Sequence, residues 1–119
     1  MSIRIILADD HVILRQGLSK SLQTEKDIEV IAQANNGRTA VELARELSPD
    51  VIIMDIGMPD LNGIEATRQI AKNSPKVRVI GLSMHSAKKF IVEMFKAGAS
   101  GYLLKDCEFD ELVNAIRTV

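Results

Sequence analysis

The chain has 119 residues, 46% of them hydrophobic and 26% charged, with a net charge of -1, which suits one domain around one core and leaves little room for a second. The balanced charge supplies no basic surface for a nucleic acid backbone, and 3% aromatic content without tryptophan argues against a base-stacking platform. One cysteine, Cys107, excludes an internal disulfide and fits a reducing cytoplasm; no secretory leader precedes the first apolar run, and no apolar stretch approaches the length of a membrane span.

Ile3 to Ala8 is an apolar run of strand length that ends at Asp9-Asp10. Leu14, Leu18 and Leu22 then recur every four residues, the spacing of one helix face. Ile28 to Ala32 reads as a second strand. Asn36-Gly37 opens a second helix, whose Ala40, Leu43, Ala44 and Leu47 follow i, i+3, i+4, i+7, and Ser48-Pro49-Asp50 closes it. Val51 to Met54 is a third strand, followed by Asp55 and then Ile56-Gly57-Met58-Pro59. A weaker stripe through Ile64, Thr67 and Ala71 marks a third helix, which Ser74-Pro75 ends. Val77 to Leu82 leads to Ser83. The fourth helix carries Phe90, Ile91, Val92, Met94 and Phe95, more apolar surface than one buried stripe needs. Gly101 to Leu104 leads to Lys105, and Phe109, Leu112, Val113 and Ile116 give the last helix its buried face. Cys107, just before it, reads as a small, partly buried side chain rather than a reactive thiol.

The central runs lack strict polar alternation, which predicts strands covered on both faces. Alternating βα units require a parallel sheet, because parallel strands need crossover connections. Such sheets bind ligands beyond the carboxyl ends of their strands. Asp9, Asp10, Asp55, Ser83 and Lys105 all fall at those ends. Three carboxylates gathered in a low-dielectric site repel one another, and a hard divalent cation such as magnesium relieves that repulsion. Lys105 offers a fixed positive charge and Ser83 a hydroxyl. Each residue also has a plainer reading: Asp9 or Asp10 as the cap of the first helix, Asp55 as a loop residue before the Met58-Pro59 turn, Ser83 as the cap of the fourth helix, and Lys105 as a solvated surface lysine. The coincidence of all these positions at successive strand ends favours the functional reading.

On these residues the chain resembles bacterial response-regulator receiver domains over its whole length. Asp9-Asp10, Asp55, Met58-Pro59 with Gly63, Ser83, and Gly98-Ala99-Ser100-Gly101-Tyr102 leading to Lys105 carry the resemblance. Ala8-Asp9-Asp10-His11, Arg15-Gln16-Gly17-Leu18, Asn62-Gly63-Ile64-Glu65-Ala66-Thr67 and Gly101-Tyr102-Leu103-Leu104-Lys105-Asp106 are similar to the NarL/FixJ (LuxR-type) class. The resemblance implies a doubly wound α/β (βα)5 fold, flavodoxin-like, with sheet order 2-1-3-4-5. It implies that residues 1–119 form the receiver and that a helix-turn-helix DNA-binding domain follows in the whole protein.

The roles it implies are these. Asp55 is the phosphoacceptor of a cytoplasmic protein, taking its phosphoryl group from a phosphohistidine on a sensor histidine kinase. Asp10 and Asp55 ligate Mg2+, with Asp9 assisting and the backbone carbonyl of Gly57 adding an oxygen; Mn2+ or Ca2+ could substitute. Lys105 pairs with the phosphoryl group, Ser83 hydrogen-bonds to it, and Tyr102 changes rotamer with that movement. Gly57 and His85 occupy positions that tune phosphoryl lifetime. Helix 1 is the usual kinase-docking face, with Arg15 and Lys20 as its exposed residues. The fourth helix is expected to make a phosphorylation-dependent contact, either a homodimer or a docking face for the output domain. The domain is then a self-phosphorylating and self-dephosphorylating switch controlling transcription rather than a conventional enzyme.

Two departures stand out. Asp106 follows Lys105 where most receivers have proline, and a cis bond before a non-proline residue costs ~2.5–4 kcal/mol, which counts against one here. Ser83 replaces the commoner threonine and keeps the donor. Other classes fit less well. A phosphatase of the haloacid-dehalogenase type needs a second aspartate at the position of Gly57. A flavodoxin-like cofactor binder needs a phosphate-cradling loop where Asp9-Asp10-His11 stands. A pseudo-receiver acting as a plain interaction module is disfavoured because every reactive position is filled.

Overall fold

The β-branched runs pair as a five-stranded parallel sheet, and the amphipathic stretches cover both of its faces, in the computed structural model, which describes residues 2–119. The elements are β1 (Ile3–Ala8), α1 (Val12–Gln23), β2 (Ile28–Ala34), α2 (Gly37–Leu47), β3 (Val51–Met54), α3 (Gly63–Asn73), β4 (Arg78–Ser83), α4 (Lys88–Ala97), β5 (Gly101–Leu104) and α5 (Phe109–Thr118). The strand order is β2-β1-β3-β4-β5, the order expected. Two strands differ from expectation at their ends. β2 runs on to Ala34, paired with Ala8. β4 starts one residue later than expected because Arg78, not Val77, pairs with Val51; the Val77 amide bonds instead to the Ser74 carbonyl in the preceding turn.

Alternate residues of each strand enter opposite cores, as the two-residue period requires. Ile6, Ala8, Ile52, Met54 and Val79 pack under α2, α3 and α4, together with Ala40, Ala44, Ala66, Ile70 and Met94. Ile5, Leu7, Val51, Ile53, Ile80 and Leu82 pack under α1 and α5, against Leu22, Leu112, Val113 and Ile116. The third helix buries Ala66, Thr67 and Ile70, so the Ile64/Thr67/Ala71 stripe is off-centre rather than outside: Thr67 is fully buried, Ile64 is half-buried against the core, and Ala71 is half-buried. The Thr67 hydroxyl is satisfied by the Gly63 carbonyl at 2.7 Å, so a polar side chain costs little there.

Two asparagine caps fix the starts of helices behind the sheet edge: Asn36 Oδ1 accepts from the Thr39 amide and Asn62 Oδ1 from the Glu65 amide. Glycine is required at Gly63, where a Cβ would collide with the Asp55 carbonyl oxygen; the close approach seats the start of α3 directly behind Asp55. The Lys105–Asp106 peptide is trans, like every other described peptide bond. Cys107 is half-buried, and burial, then the nearby charges of Glu111 and Asp106, push its thiol pKa up, which makes it a poor nucleophile.

Candidate functional site

The sheet order creates the site. β1 connects to β2 on one side and lies against β3 on the other, so a crevice opens at the carboxyl ends of β1 and β3. Ala8 is in register with Met54, and the Asp55 amide bonds to the Ala8 carbonyl at 2.9 Å. Asp9 and Asp55 therefore leave adjacent strands side by side. β4 places Ser83 on the next strand, and the Lys105 amide bonds to the Ser83 carbonyl at 2.8 Å, which brings β5's lysine to the same edge. Asp10, Asp55, Gly57, Ser83, His85 and Lys105 all line one cleft of about 200 Å³.

The plainer readings describe only part of what these side chains do: Asp55 is a loop residue and the Asp9 carboxylate accepts the His11 amide at 2.8 Å ahead of α1, but both also face Lys105 in the cleft. α1 has His11 at its N-cap with no side-chain cap bond, and the N-cap of α4 is Ala87, not Ser83. The Lys105 side chain is 8% exposed, far from a solvated lysine. Its Nζ lies 2.9 Å from Asp9 Oδ2 and 3.4 Å from Asp55 Oδ1. Asp9 and Asp55 are themselves buried. One ammonium thus faces two buried carboxylates, with a third, Asp10, beside them. Burial and then the negative charge of Asp9 raise the pKa of Asp55, with Lys105 pulling in the opposite direction.

The carboxylates are incompletely satisfied. Asp10 Oδ1 and Asp55 Oδ2 are buried and make no hydrogen bond within the protein, an expensive state for anionic oxygens. The side chains of Asp9, Asp10, His11 and Asp55 each offer one donor atom, and these atoms lie within 4.8 Å of one another. An oxygen-rich donor set with two orphaned anionic atoms fits a hard divalent cation. Gly57 lines the same cleft, and a Cβ there would meet nothing within 4 Å; its amide lies 3.5 Å from Asp55 Oδ1, at the outer limit of a hydrogen bond.

Ser83 is fully buried, and its Oγ accepts from the His85 amide at 3.1 Å. The Tyr102 hydroxyl donates to the His85 carbonyl at 2.6 Å. Ser83 and Tyr102 are therefore tied to the two ends of one residue in the β4–α4 loop, rather than to each other. The His85 ring packs 4.5 Å from the Phe90 ring.

Three features were not assigned from sequence. His11 turns its ring into the acidic cluster. Arg15, read as an exposed docking residue, is half-buried; its guanidinium donates to the Asp9 carbonyl at 2.7 Å and to Gln33 Oε1 at 2.9 Å, pinning the first acidic residue to β2. The exposed surface of α1 nearest the cleft is apolar instead: Val12, Ile13 and, across from them, Met84 are 51%, 88% and 76% exposed. On α4, Met94 is fully buried, Phe90 and Ile91 are half-buried, and Val92 and Phe95 are the exposed pair. The Asp9-Asp10-His11 sequence at a strand end was the available signal for His11; Arg15 stood out in Arg15-Gln16-Gly17-Leu18, but nothing in that motif showed that its guanidinium bonds the Asp9 backbone.

Comparison with known proteins places this geometry in a family. The model of the response regulator receiver domain matches residues 5–117. The chain is 44% identical over 117 residues to the transcriptional regulatory protein DegU of Brevibacillus brevis, covering 98% of this chain and 50% of that one. It is 46% identical over 117 residues to the transcriptional regulatory protein LnrK of Bacillus subtilis, again over 98% of this chain and 53% of the relative. A LuxR-family two-component response regulator from Aurantimonas superposes with a TM-score of 0.93 at 38% identity, over 98% of this chain and 84% of that one. The chain spans about half the length of the curated relatives it matches. A fold, a strand-end acidic cluster and a near-complete family match agree: the chain belongs to the response regulator receiver domains, of the LuxR/NarL type.

Proposed function

We propose that this chain is the phosphoacceptor switch of a two-component regulator: Asp55 accepts a phosphoryl group from a sensor histidine kinase, with Mg2+ at the acidic cluster, and the domain changes conformation to control transcription through another part of the protein. The observation that carries the proposal is the placement of Lys105 Nζ 3.4 Å from one oxygen of a buried Asp55, while the other oxygen is orphaned beside Asp10.

The two oxygens of Asp55 have different surroundings and take different work. Oδ2, with Asp10 Oδ1, would hold the cation; Asp9 and the Gly57 carbonyl are the further oxygen donors of the proposal. A bound divalent cation supplies charge neutralisation for the incoming phosphoryl oxygens. Oδ1 faces Lys105 and is the acceptor atom. Phosphoryl transfer depends on positioning and charge more than on covalent help from the protein. Burial of Asp55 holds the acceptor away from bulk water, Arg15 holds the backbone of Asp9 in place, and Lys105 stands ready to follow the charge from carboxylate to phosphoryl oxygen. Loss of the group to water resets the domain, so it acts as its own substrate rather than as a conventional enzyme.

The phosphoryl group adds roughly -1.5 to -2 charges, by analogy with phosphorylated hydroxyls. The Ser83 hydroxyl, now committed to the His85 amide, would turn to a phosphoryl oxygen. That releases one end of His85, Tyr102 at the other end changes rotamer with the movement, and the change passes into the start of α4. A ligand shifts such an equilibrium only by its difference in affinity for the two states; the Ser83 and Lys105 hydrogen bonds supply that difference. Val12, Ile13 and Met84, with His11 and Lys105, line an open groove of about 630 Å³ at the mouth of the site. Exposed apolar side chains around a reactive centre suit a partner surface, and we assign them to the kinase.

The test is incubation with Mg2+ and a small acyl phosphate, read by intact mass. A phosphate-sized gain in the wild type and none in Asp55→Asn is expected. A gain that persists in the variant, or none in the wild type, removes the proposal.

A further inference from the structure

The acidic cluster contains a nitrogen donor that a magnesium site does not need. His11 Nδ1 lies 2.8 Å from Asp9 Oδ1, 3.6 Å from Asp10 Oδ1 and 3.9 Å from Asp55 Oδ2. The last two oxygens are, among the described residues, the buried side-chain atoms that lack a hydrogen-bond partner. One oxygen from each of three carboxylates therefore faces a single imidazole nitrogen. The same nitrogen lies 2.9 Å from Lys105 Nζ. These contacts make opposite demands. Towards Asp9 the nitrogen must carry a proton and donate. Towards Lys105, which has only donors, it must present a lone pair. With a proton on Nδ1 the ring meets the Lys105 ammonium donor to donor, and with a lone pair there it faces three carboxylates; a cation seated among the four atoms satisfies the nitrogen and all three oxygens at once.

We propose that His11 is a ligand that sets the metal preference of this site, giving it affinity for borderline first-row cations such as Zn2+ or Co2+ beside the hard cations its carboxylates take. The inference rests on the reading that the cluster holds a divalent cation. The carboxylates suit Mg2+, Mn2+ and Ca2+, whereas imidazole suits Zn2+ and the later transition ions. The separations of 2.8 to 3.9 Å between Nδ1 and the three oxygens are those of donor atoms able to share one ion with bonds of about 2.0–2.2 Å. The buried and unpartnered Asp55 Oδ2 points into this set. Lys105 gives up the imidazole contact when the ion binds and keeps Asp9 Oδ2 and Asp55 Oδ1, the oxygens on its own side. Because Asp55 Oδ2 is shared between the hard-cation site and this set, an ion held by His11 excludes Mg2+ and competes with phosphorylation.

His11 is exposed, with a side chain 57% accessible, so His11→Ala leaves the core intact. The other histidine, His85, lines the same cleft but is not among the converging donor atoms, and His85→Ala is the control. The experiment is calorimetric titration of untagged protein with Mg2+ and with Co2+, plus nitrogen-15 NMR of the ring atoms during Zn2+ addition. In the wild type both ions bind, Zn2+ shifts the His11 Nδ1 signal, and Mg2+ does not. In His11→Ala the ratio of Co2+ to Mg2+ affinity falls by about tenfold or more, while His85→Ala retains it. A ratio unchanged in His11→Ala, or lost equally in His85→Ala, overturns the proposal while Mg2+ binding leaves the acidic-site reading standing. Failure of the wild type to bind either ion overturns both.

Discussion

Replacing Asp55 with asparagine should stabilise the metal-free domain and at the same time blunt its response to Mg2+. Asp55 is 4% exposed, and its Oδ2 has no partner. A buried unsatisfied polar atom costs about 1–3 kcal/mol, and the like charge of Asp9 adds to the cost. The carboxylate's compensation is Lys105 at 3.4 Å. That loss is partly offset in the variant, because Lys105 keeps Asp9 at 2.9 Å and the new amide can donate to the orphaned Asp10 Oδ1. A net gain of about 1 kcal/mol follows, which raises the Tm of a domain this size by roughly 3–6 °C. With Mg2+ at about one hundred times its Kd, the wild type gains about 2.7 kcal/mol, and the variant, lacking one anionic ligand, gains less. The order of stability therefore narrows or reverses between chelator and Mg2+. Thermal unfolding of both proteins in the two conditions reads this directly. The pH dependence has a definite sign. The Asp55 carboxyl has a raised pKa, so folding favours its protonated form. Its contribution is complete below the ordinary carboxylate range and is lost as pH rises through the folded value. The advantage of Asp55→Asn in chelator should thus grow as the solution is taken from acid to neutral. A variant less stable than wild type without metal, or one that responds to Mg2+ as strongly, would refute the reasoning.

Gly63→Ala should cost about 3 kcal/mol or more, because the added carbon meets backbone at Asp55 rather than a yielding side chain. Gly57→Ala, with open space at the same cleft, should stay within about 0.5 kcal/mol of wild type and change only the decay rate of the phosphorylated form; chemical denaturation and a dephosphorylation time course separate the two. Arg117 joins the end of α5 to the α1–β2 loop through Asp27 and Glu25, and hydrogen bonding from Arg117 lowers the pKa of Asp27. Arg117→Ala should therefore be destabilising at neutral pH, with the difference in Tm vanishing as pH falls through the depressed Asp27 value and shrinking in high salt. A phosphoryl mimic should raise the mass of the wild type in solution, and Val92→Ser/Phe95→Ser, on the exposed face of α4, should prevent it; unchanged mass in the wild type would remove the idea of an α4 dimer.

The strands were legible because burial on both faces leaves continuous β-branched runs, as in Val51–Met54, where every residue is buried. Boundaries were less so, since pairing decides them: Val77 has strand character but no strand partner, and Gln33 and Ala34 extend β2 because β1 reaches that far. The stripe on α3 was placed off-centre because Gly63 and Ala66 are small, and the close seat of Gly63 against Asp55 turns that side of the helix inward whatever its hydrophobicity. At the site, the residues that converge from successive strand ends could be named from position alone. His11 and Arg15 could not, because their directions depend on how α1 leaves the sheet. An arginine that bonds a backbone carbonyl looks, in sequence, like any exposed arginine.

Reductive trapping marks the phosphorylated side chain itself. A mixed anhydride on a carboxylate is reduced by borohydride to the alcohol, whereas a free carboxylate is not. After treatment with a small acyl phosphate and Mg2+, peptide mass analysis should find residue 55 converted and Asp9 and Asp10 untouched, with no conversion when the ion is chelated. Conversion at another residue, or the same extent of conversion at Asp55 without a divalent ion, would contradict the account.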